Sequence, residues 1–195
     1  MNVLVVYAHP VDTSFVGGLH HTVVTRLERA GHTVDDCDLY AEGFDPVMSR
    51  QDRIDYHDTG LNQSRIGPHV ERLRRADALV LIYPVWNFGF PAILKGYLDR
   101  VWVPGVAFEL AENGDLSFTL RHIKKLAAVC TYGGQWWRAR LMSDPPRRCV
   151  TRMMRAHVAL TASTDYLACY DMNHTTEAKR AAFMSRVDAT FSRWR

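Results

Sequence analysis

The sequence predicts an α/β fold: a doubly wound, five-stranded parallel sheet with helices on both faces. Three observations point there. Short apolar or β-branched runs recur along the 195 residues, and stretches of helical period separate them. No linker rich in Pro, Gly or Ser divides the chain, so residues 1–195 read as a single domain. Three strand ends also carry residues that a plain turn does not need, and open sheets of this kind bind ligands outside the carboxyl ends of their strands.

The elements follow in order. Residues 3–7 form a β-branched run that ends at Ala8-His9-Pro10, where proline stops the strand and Asp12, Thr13 and Ser14 offer N-caps. Residues 15–30 read as a helix, with Leu19, Val23, Val24 and Leu27 at helical spacing and Gly31 as its stop. Residues 33–39, mixed in polarity, suit an edge strand, and residues 40–62 read as a long polar loop of functional character. A short helix at 68–75 feeds a fully apolar strand at 78–82. A helix at 91–101 begins on Pro91, and residues 107–116 suggest a small excursion turning at Asn113-Gly114. Strand four is expected at 126–131, a helix at 147–157, strand five within 159–170, and a closing amphipathic helix at 176–194.

Composition narrows the class. Apolar residues make up 47% and charged residues 23%, which fits an ordinary globular domain rather than a disordered chain. A net charge of +3 is too small to imply nucleic acid. Arginines nevertheless crowd one segment (Arg138, Arg140, Arg147, Arg148, Arg152 and Arg155), which reads either as a solvated helix face or as a positive rim for an anionic cofactor. The four cysteines form no CxxC pair, so buried free thiols in a reducing compartment are expected rather than disulfides or a metal site. The amino terminus lacks a basic signal region, and no apolar run is long enough to span a bilayer. These features predict a cytoplasmic protein without membrane insertion.

The most informative stretch follows the third strand. Tyr83-Pro84-Val85-Trp86-Asn87-Phe88-Gly89-Phe90 places large rings where polar turn residues normally stand. Rings exposed at the end of a buried strand suit a flat, apolar guest, although they serve equally as packing or interface groups. The first loop, His9 through Phe15, joins a strand to a helix N-terminus, where free N–H groups and the Thr13, Ser14 and His9 side chains can hold phosphate. It has no GxGxxG fingerprint, which argues against a standard Rossmann site. The same caps could simply close the helix. The third loop, Thr131-Tyr132-Gly133-Gly134, offers two glycines that let backbone approach a ligand.

Taken in order, Tyr7-Ala8-His9-Pro10 with Thr13-Ser14-Phe15, Asp38-Leu39-Tyr40 with Phe44-Asp45-Pro46, Tyr83 through Gly96 with Asp99-Arg100-Val101, and Thr131 through Gly134 resemble the flavodoxin-like NAD(P)H:quinone oxidoreductase family, the DT-diaphorase-like enzymes. The resemblance covers roughly the first 135 residues, and its long central motif is specific. It implies sheet order 2-1-3-4-5, a bound flavin (FAD, with FMN as the other option), NADH or NADPH as donor, a quinone or similar small acceptor, and a homodimer. By the same resemblance His9, Thr13, Ser14 and Phe15 match positions around the flavin's phosphates and adenylate side. Pro84, Val85, Trp86, Asn87 and Phe88 match the isoalloxazine platform, and Thr131, Tyr132, Gly133 and Gly134 match its other edge. The diaphorase pattern places a Tyr and a His soon after Gly-Gly, and residues 135–148 contain neither. Tyr132 is the candidate proton donor that remains, and its place in the loop equally suits a packing group.

Two other readings compete. Some relatives serve as flavin-binding regulatory subunits of potassium-efflux transporters. Ala8-His9-Pro10-Val11-Asp12 is also similar to the AHPDD motif of zinc-dependent de-N-acetylases, with valine where that motif has its second acid.

Overall fold

Five parallel strands form the central sheet of this computed structural model, which describes residues 1–111 and 113–194. With a separate two-stranded hairpin, the described residues hold seven strands: β1 (Asn2–Tyr7), β2 (Thr33–Asp38), β3 (Ala78–Val85), β4 (Phe108–Leu110), β5 (Leu116–Phe118), β6 (Lys125–Tyr132) and β7 (Ser163–Cys169). The main sheet runs β2-β1-β3-β6-β7, and β4 pairs antiparallel with β5. With that hairpin set aside, the order is the expected 2-1-3-4-5. The hairpin is the excursion anticipated around Asn113-Gly114: Gly114 takes φ +86, and Glu112 lies outside the described residues.

The pleat of β1 sorts its side chains onto two cores. Val3, Val5 and Tyr7 face a cluster with Leu19, Val23, Phe183 and Phe191, while Leu4, Val6 and Ala8 face one with Val70, Leu73, Leu94 and Val101. Both faces are covered, so central strands such as β3 are buried at every residue.

β3 is longer than its apolar run suggests. Tyr83, Pro84 and Val85, expected in the loop, continue the strand and pair with Cys130, Thr131 and Tyr132. Proline is tolerated there for a geometric reason. The Ile82 carbonyl accepts from Ala8 N–H at 2.9 Å, so the β1-facing edge of β3 meets its last partner at that point. The Pro84 nitrogen faces the same edge, where β1 has already ended, and no ladder bond is lost.

Helices α1 (Phe15–Arg29), α2 (Arg50–Ile54), α3 (Gly67–Arg75), α4 (Ala92–Val101), α5 (Trp136–Leu141), α6 (Pro145–Arg148), α7 (Arg155–His157) and α8 (Glu177–Phe191) complete the chain. α1 and α8 lie on one face, joined by Arg26, whose guanidinium donates to both Asp188 oxygens at 2.7 and 2.6 Å. The long loop at 40–62 is not structureless. Ser49 and Asp52 form a reciprocal capping box that nucleates α2, and a turn of 3₁₀ helix follows at Asp55–His57. The helix expected at 147–157 starts two residues earlier, at Pro145. It passes through a π-helical segment, Cys149–Met154, before α7. No helix among the described residues is long and apolar enough to cross a membrane.

Two glycines are required by close approach. A Cβ on Gly17 would lie 2.0 Å from the Asp12 carbonyl oxygen, and one on Gly96 would lie 2.3 Å from that of Pro46. The first pins the β1–α1 loop onto the helix, and the second seats α4 against the segment after β2.

Candidate functional site

The β1–α1 loop, the β3–α4 loop and the β6–α5 loop leave neighbouring strands at the same sheet end, because β3 lies between β1 and β6. The structure therefore brings together the three segments singled out in the sequence.

In the first loop, Ser14 caps α1 by accepting from Gly17 N–H at 3.0 Å. The N–H groups of Phe15 and Val16, in the first turn of the helix, find no acceptor among the described residues. His9 is clamped alongside: its Nδ1 lies 3.0 Å from Val11 N–H and 3.1 Å from Ser14 Oγ, so its Nε2 is directed away from these bonds. Thr13 is exposed, with its N–H held by Asp12 at 2.8 Å. Phe15 divides its roles, since its ring packs against Phe183 of α8 at 6.4 Å while its N–H stays at the loop. Two free N–H groups, a hydroxyl and an imidazole form a donor set suited to phosphate.

The second loop is a two-residue turn. Trp86 and Gly89 exchange N–H to carbonyl bonds at 3.2 and 2.8 Å, with Asn87 (φ 49) and Phe88 (φ 57) between them. Two left-handed central residues mark a type I′ turn, whose preferred occupants are Asn and Gly. Asn87 fits that preference. Phe88 does not, and a bulky side chain at positive φ is strained. The glycine of this loop, Gly89, does not take a positive φ. The turn leaves the N–H groups of Asn87 and Phe88 without an acceptor among the described residues. Trp86 is 43% exposed and Phe88 36%, and Trp86 leans over His9 at 6.1 Å, joining the two loops. The third ring of the expected set, Phe90, instead packs edge-on to buried Tyr83 at 5.0 Å. Pro84 and Val85 support the turn as buried strand residues.

In the third loop, Thr131 and Tyr132 are buried at the end of β6, and Gly133-Gly134 form a half-buried turn. The carbonyls of Gly134 and Gly133 accept from Asp171 N–H (2.8 Å) and Asn173 N–H (3.3 Å). This segment after β7 braces the glycine turn. Sequence reasoning missed it, since nothing local in Asp171-Met172-Asn173 announces the contact.

Tyr132 sits below the turn rather than in it. Its hydroxyl donates to Asp144 Oδ1 at 2.6 Å, lies 2.6 Å from the Tyr166 hydroxyl, and is buried. Tyr170 reaches the second Asp144 oxygen at 3.4 Å. Burial drives the pKa of Tyr132 and of Tyr166 well above the phenol range and that of Tyr170 up to about 12. These phenols hold their protons at neutral pH.

The metal reading has its own geometry. Among the described residues, the one grouping of three potential metal ligands is Cys37, Glu42 and His69, which excludes His9 and Asp12. Its carboxylate is taken by Arg72 at 2.7 Å, and burial pushes the Cys37 thiol up to about 12.

Similarity to known proteins agrees with this arrangement. A model of the flavodoxin-like fold matches residues 1–184. An uncharacterized NAD(P)H oxidoreductase of Haemophilus influenzae is 34% identical over 68% of this chain and 65% of its own length. The NAD(P)H dehydrogenase [quinone] 1 of Cavia porcellus is 31% identical over 68% of this chain and 54% of its own. The chain thus spans about half to two thirds of the curated relatives it matches. Among solved structures, the NAD(P)H:quinone oxidoreductase of Methanothermobacter marburgensis superimposes with a TM-score of 0.81 at 25% identity, covering 99% of this chain and 98% of that one. The sheet order, the three loops at one sheet end and these likenesses converge: the chain belongs to the family with a flavodoxin-like fold.

Proposed function

We propose that this protein is a flavin-dependent NAD(P)H oxidoreductase that passes reducing equivalents to a quinone or similar small acceptor. The observation that carries the reading is the Trp86–Gly89 turn. It is a strained, left-handed pair of residues that presents two rings and two free N–H groups beside a phosphate-suited helix start. Strain held at an exposed turn is retained where a ligand uses it.

The residues fit a flavin in kind. Ser14, His9, Thr13 and the Phe15 and Val16 N–H groups would hold the phosphate end. Trp86 and Phe88 would support the ring, and the Asn87 and Phe88 N–H groups would face its polar edge, with Gly133-Gly134 closing the other side. When bound, the flavin supplies two-electron transfer between the nicotinamide and the acceptor. The Asn87 and Phe88 N–H groups, fixed in the turn, would favour negative charge on the bound group without having to reorganise. FAD is the cofactor expected from the family resemblance, with FMN fitting the same donors.

Tyr132 borders this site as a positioning group. Its buried hydroxyl, committed to Asp144, anchors the start of the Gly133-Gly134 turn, and that burial weighs against direct proton donation to an acceptor. Trp136 and Trp137, 61% and 46% exposed on α5, give a face that the second copy of a homodimer can cover.

The direct test is the visible spectrum of the purified protein, followed by chromatography of the released cofactor. A yellow protein bleached by NADH or NADPH is the expected result. A colourless protein that binds neither added FAD nor added FMN refutes the proposal.

A further inference from the structure

Between α5 and the π-helical segment lies a cavity of about 310 Å³, outside the three loops. It is lined by Arg140, Ser143, Asp144, Arg147, Arg148, Thr151 and Arg152. Four exposed arginines share its lining with one carboxylate, and that carboxylate is already committed. Asp144 is 3% exposed and accepts from the Tyr132 and Tyr170 hydroxyls. Arg26, Arg65, Arg72, Arg74 and Arg100 each have a carboxylate within 4.0 Å. None of the four cavity arginines has one among the described residues.

The backbone is shaped to bring them together. Ser143 and Asp144 are consecutive non-glycine residues in the left-handed region, at φ 63 and 45. That pair turns the chain from α5 into α6 and buries Asp144. The π-helical segment Cys149–Met154 then changes the spacing of Arg148, Thr151 and Arg152 around the helix. Arg147 is fixed by its guanidinium lying 5.4 Å over the Tyr166 ring. Two adjacent left-handed residues and a π segment in one short stretch carry a local cost, and together they place four exposed arginines around one cavity.

We infer that this cavity binds a phosphate monoester. The guanidinium fork matches phosphate oxygens bidentately, and Ser143 and Thr151 add hydroxyl donors. The volume of about 310 Å³ leaves room for a phosphate with an attached sugar. Two sources share that chemistry: the phosphate that distinguishes NADPH from NADH, and a phosphorylated electron acceptor. The cavity joins the cofactor site through Asp144 and Tyr132, which directly precedes Gly133. Assigning the phosphate to the nicotinamide donor rests on the oxidoreductase reading above, whereas phosphate binding itself does not.

The test is isothermal titration of the purified protein with inorganic phosphate, NADP⁺ and NAD⁺ at low ionic strength. Saturable phosphate binding is expected. It should weaken about tenfold in Arg148→Ala/Arg152→Ala and less in Arg148→Lys/Arg152→Lys, which keeps charge but loses the fork. NADP⁺ binding tighter than NAD⁺, with the preference lost in the alanine variant, assigns the phosphate to the nucleotide. Equal NADP⁺ and NAD⁺ affinity with phosphate binding retained assigns it to a phosphorylated acceptor. No phosphate binding, or binding unchanged in the alanine variant, overturns the inference. A yellow protein that ignores phosphate sinks this inference alone, and a colourless protein that binds phosphate sinks only the flavin reading.

Discussion

Replacing Phe88 separates the strain of the turn from the use of its ring. Phe88 sits at φ 57 with 36% of its surface still exposed, so it gives up conformational energy without completing its burial. Phe88→Ala and Phe88→Gly both remove the ring, and only glycine removes the strain. A left-handed residue with a Cβ costs about 1–2 kcal/mol, and glycine returns about 0.5–1 kcal/mol of this as unfolded-chain entropy. Phe88→Gly should therefore be more stable than Phe88→Ala by about 0.5–1 kcal/mol. In a chain of this size that is roughly 2 °C in melting temperature. Both variants should lose flavin affinity alike, by about five- to tenfold if the ring contributes about 1 kcal/mol or slightly more in stacking. Melting of the flavin-free protein reads the first quantity, and fluorescence titration with FAD and FMN reads the second. If the alanine variant is as stable as the glycine one, the turn carries no strain. If flavin affinity is unchanged in both, the ring is a packing group and the argument from the turn fails.

Other perturbations probe the frame around the site. Gly96→Ala should cost about 1–3 kcal/mol in chemical denaturation, because its Cβ meets the Pro46 carbonyl at 2.3 Å and backbone must shift. Tyr132→Phe should destabilise by about 1–3 kcal/mol by removing a donor from buried Asp144, and its activity loss should be independent of pH if the tyrosine only positions the turn. A solvent isotope effect on turnover that disappears in Tyr132→Phe would instead mark Tyr132 as the proton donor. Asp52 gives an acid limb to stability. Partial burial pushes its pKa up, but the Ser49 N–H, Arg65 and the Ser49 hydroxyl outweigh this and hold it down at about 2, from an ordinary 3.8. A carboxyl depressed on folding stabilises above its unfolded pKa and loses that contribution as pH falls through its folded one. Asp52→Asn should thus flatten the decline in stability between pH 3.8 and about 2, read by urea melts across that range.

The sheet was legible because its signals are local. β-branched runs, helical spacing and the Ser14 and Gly31 stops each act over a few residues. The end of β3 was not, because Tyr83, Pro84 and Val85 are strand residues only by virtue of β6 alongside them. α2 could have been found from its own residues, since Ser49-Arg50-Gln51-Asp52 is a capping-box pattern within a stretch that otherwise reads as loop. At the candidate site, the rings of Trp86 and Phe88 stood out by type, whereas the left-handed Phe88 could not, as nothing in that residue favours positive φ. Asp144, Tyr166 and Asp171 come to the site from far along the chain and carry no nearby marker.

The early end of β1 has a consequence beyond tolerating a proline. β3 and β6 run three residues past the point where Tyr7 pairs with Ile82. At about 3.3 Å per residue, the sheet rises there in a step about 10 Å tall. The Trp86 turn stands on top of that step and the start of α1 lies at its foot, so a guest spanning both is measured against the height of the riser. Pleating makes that height change in quanta of two. Removing a single residue from Tyr83–Val85 would both lower the turn and swing it to the opposite face of the sheet, away from His9.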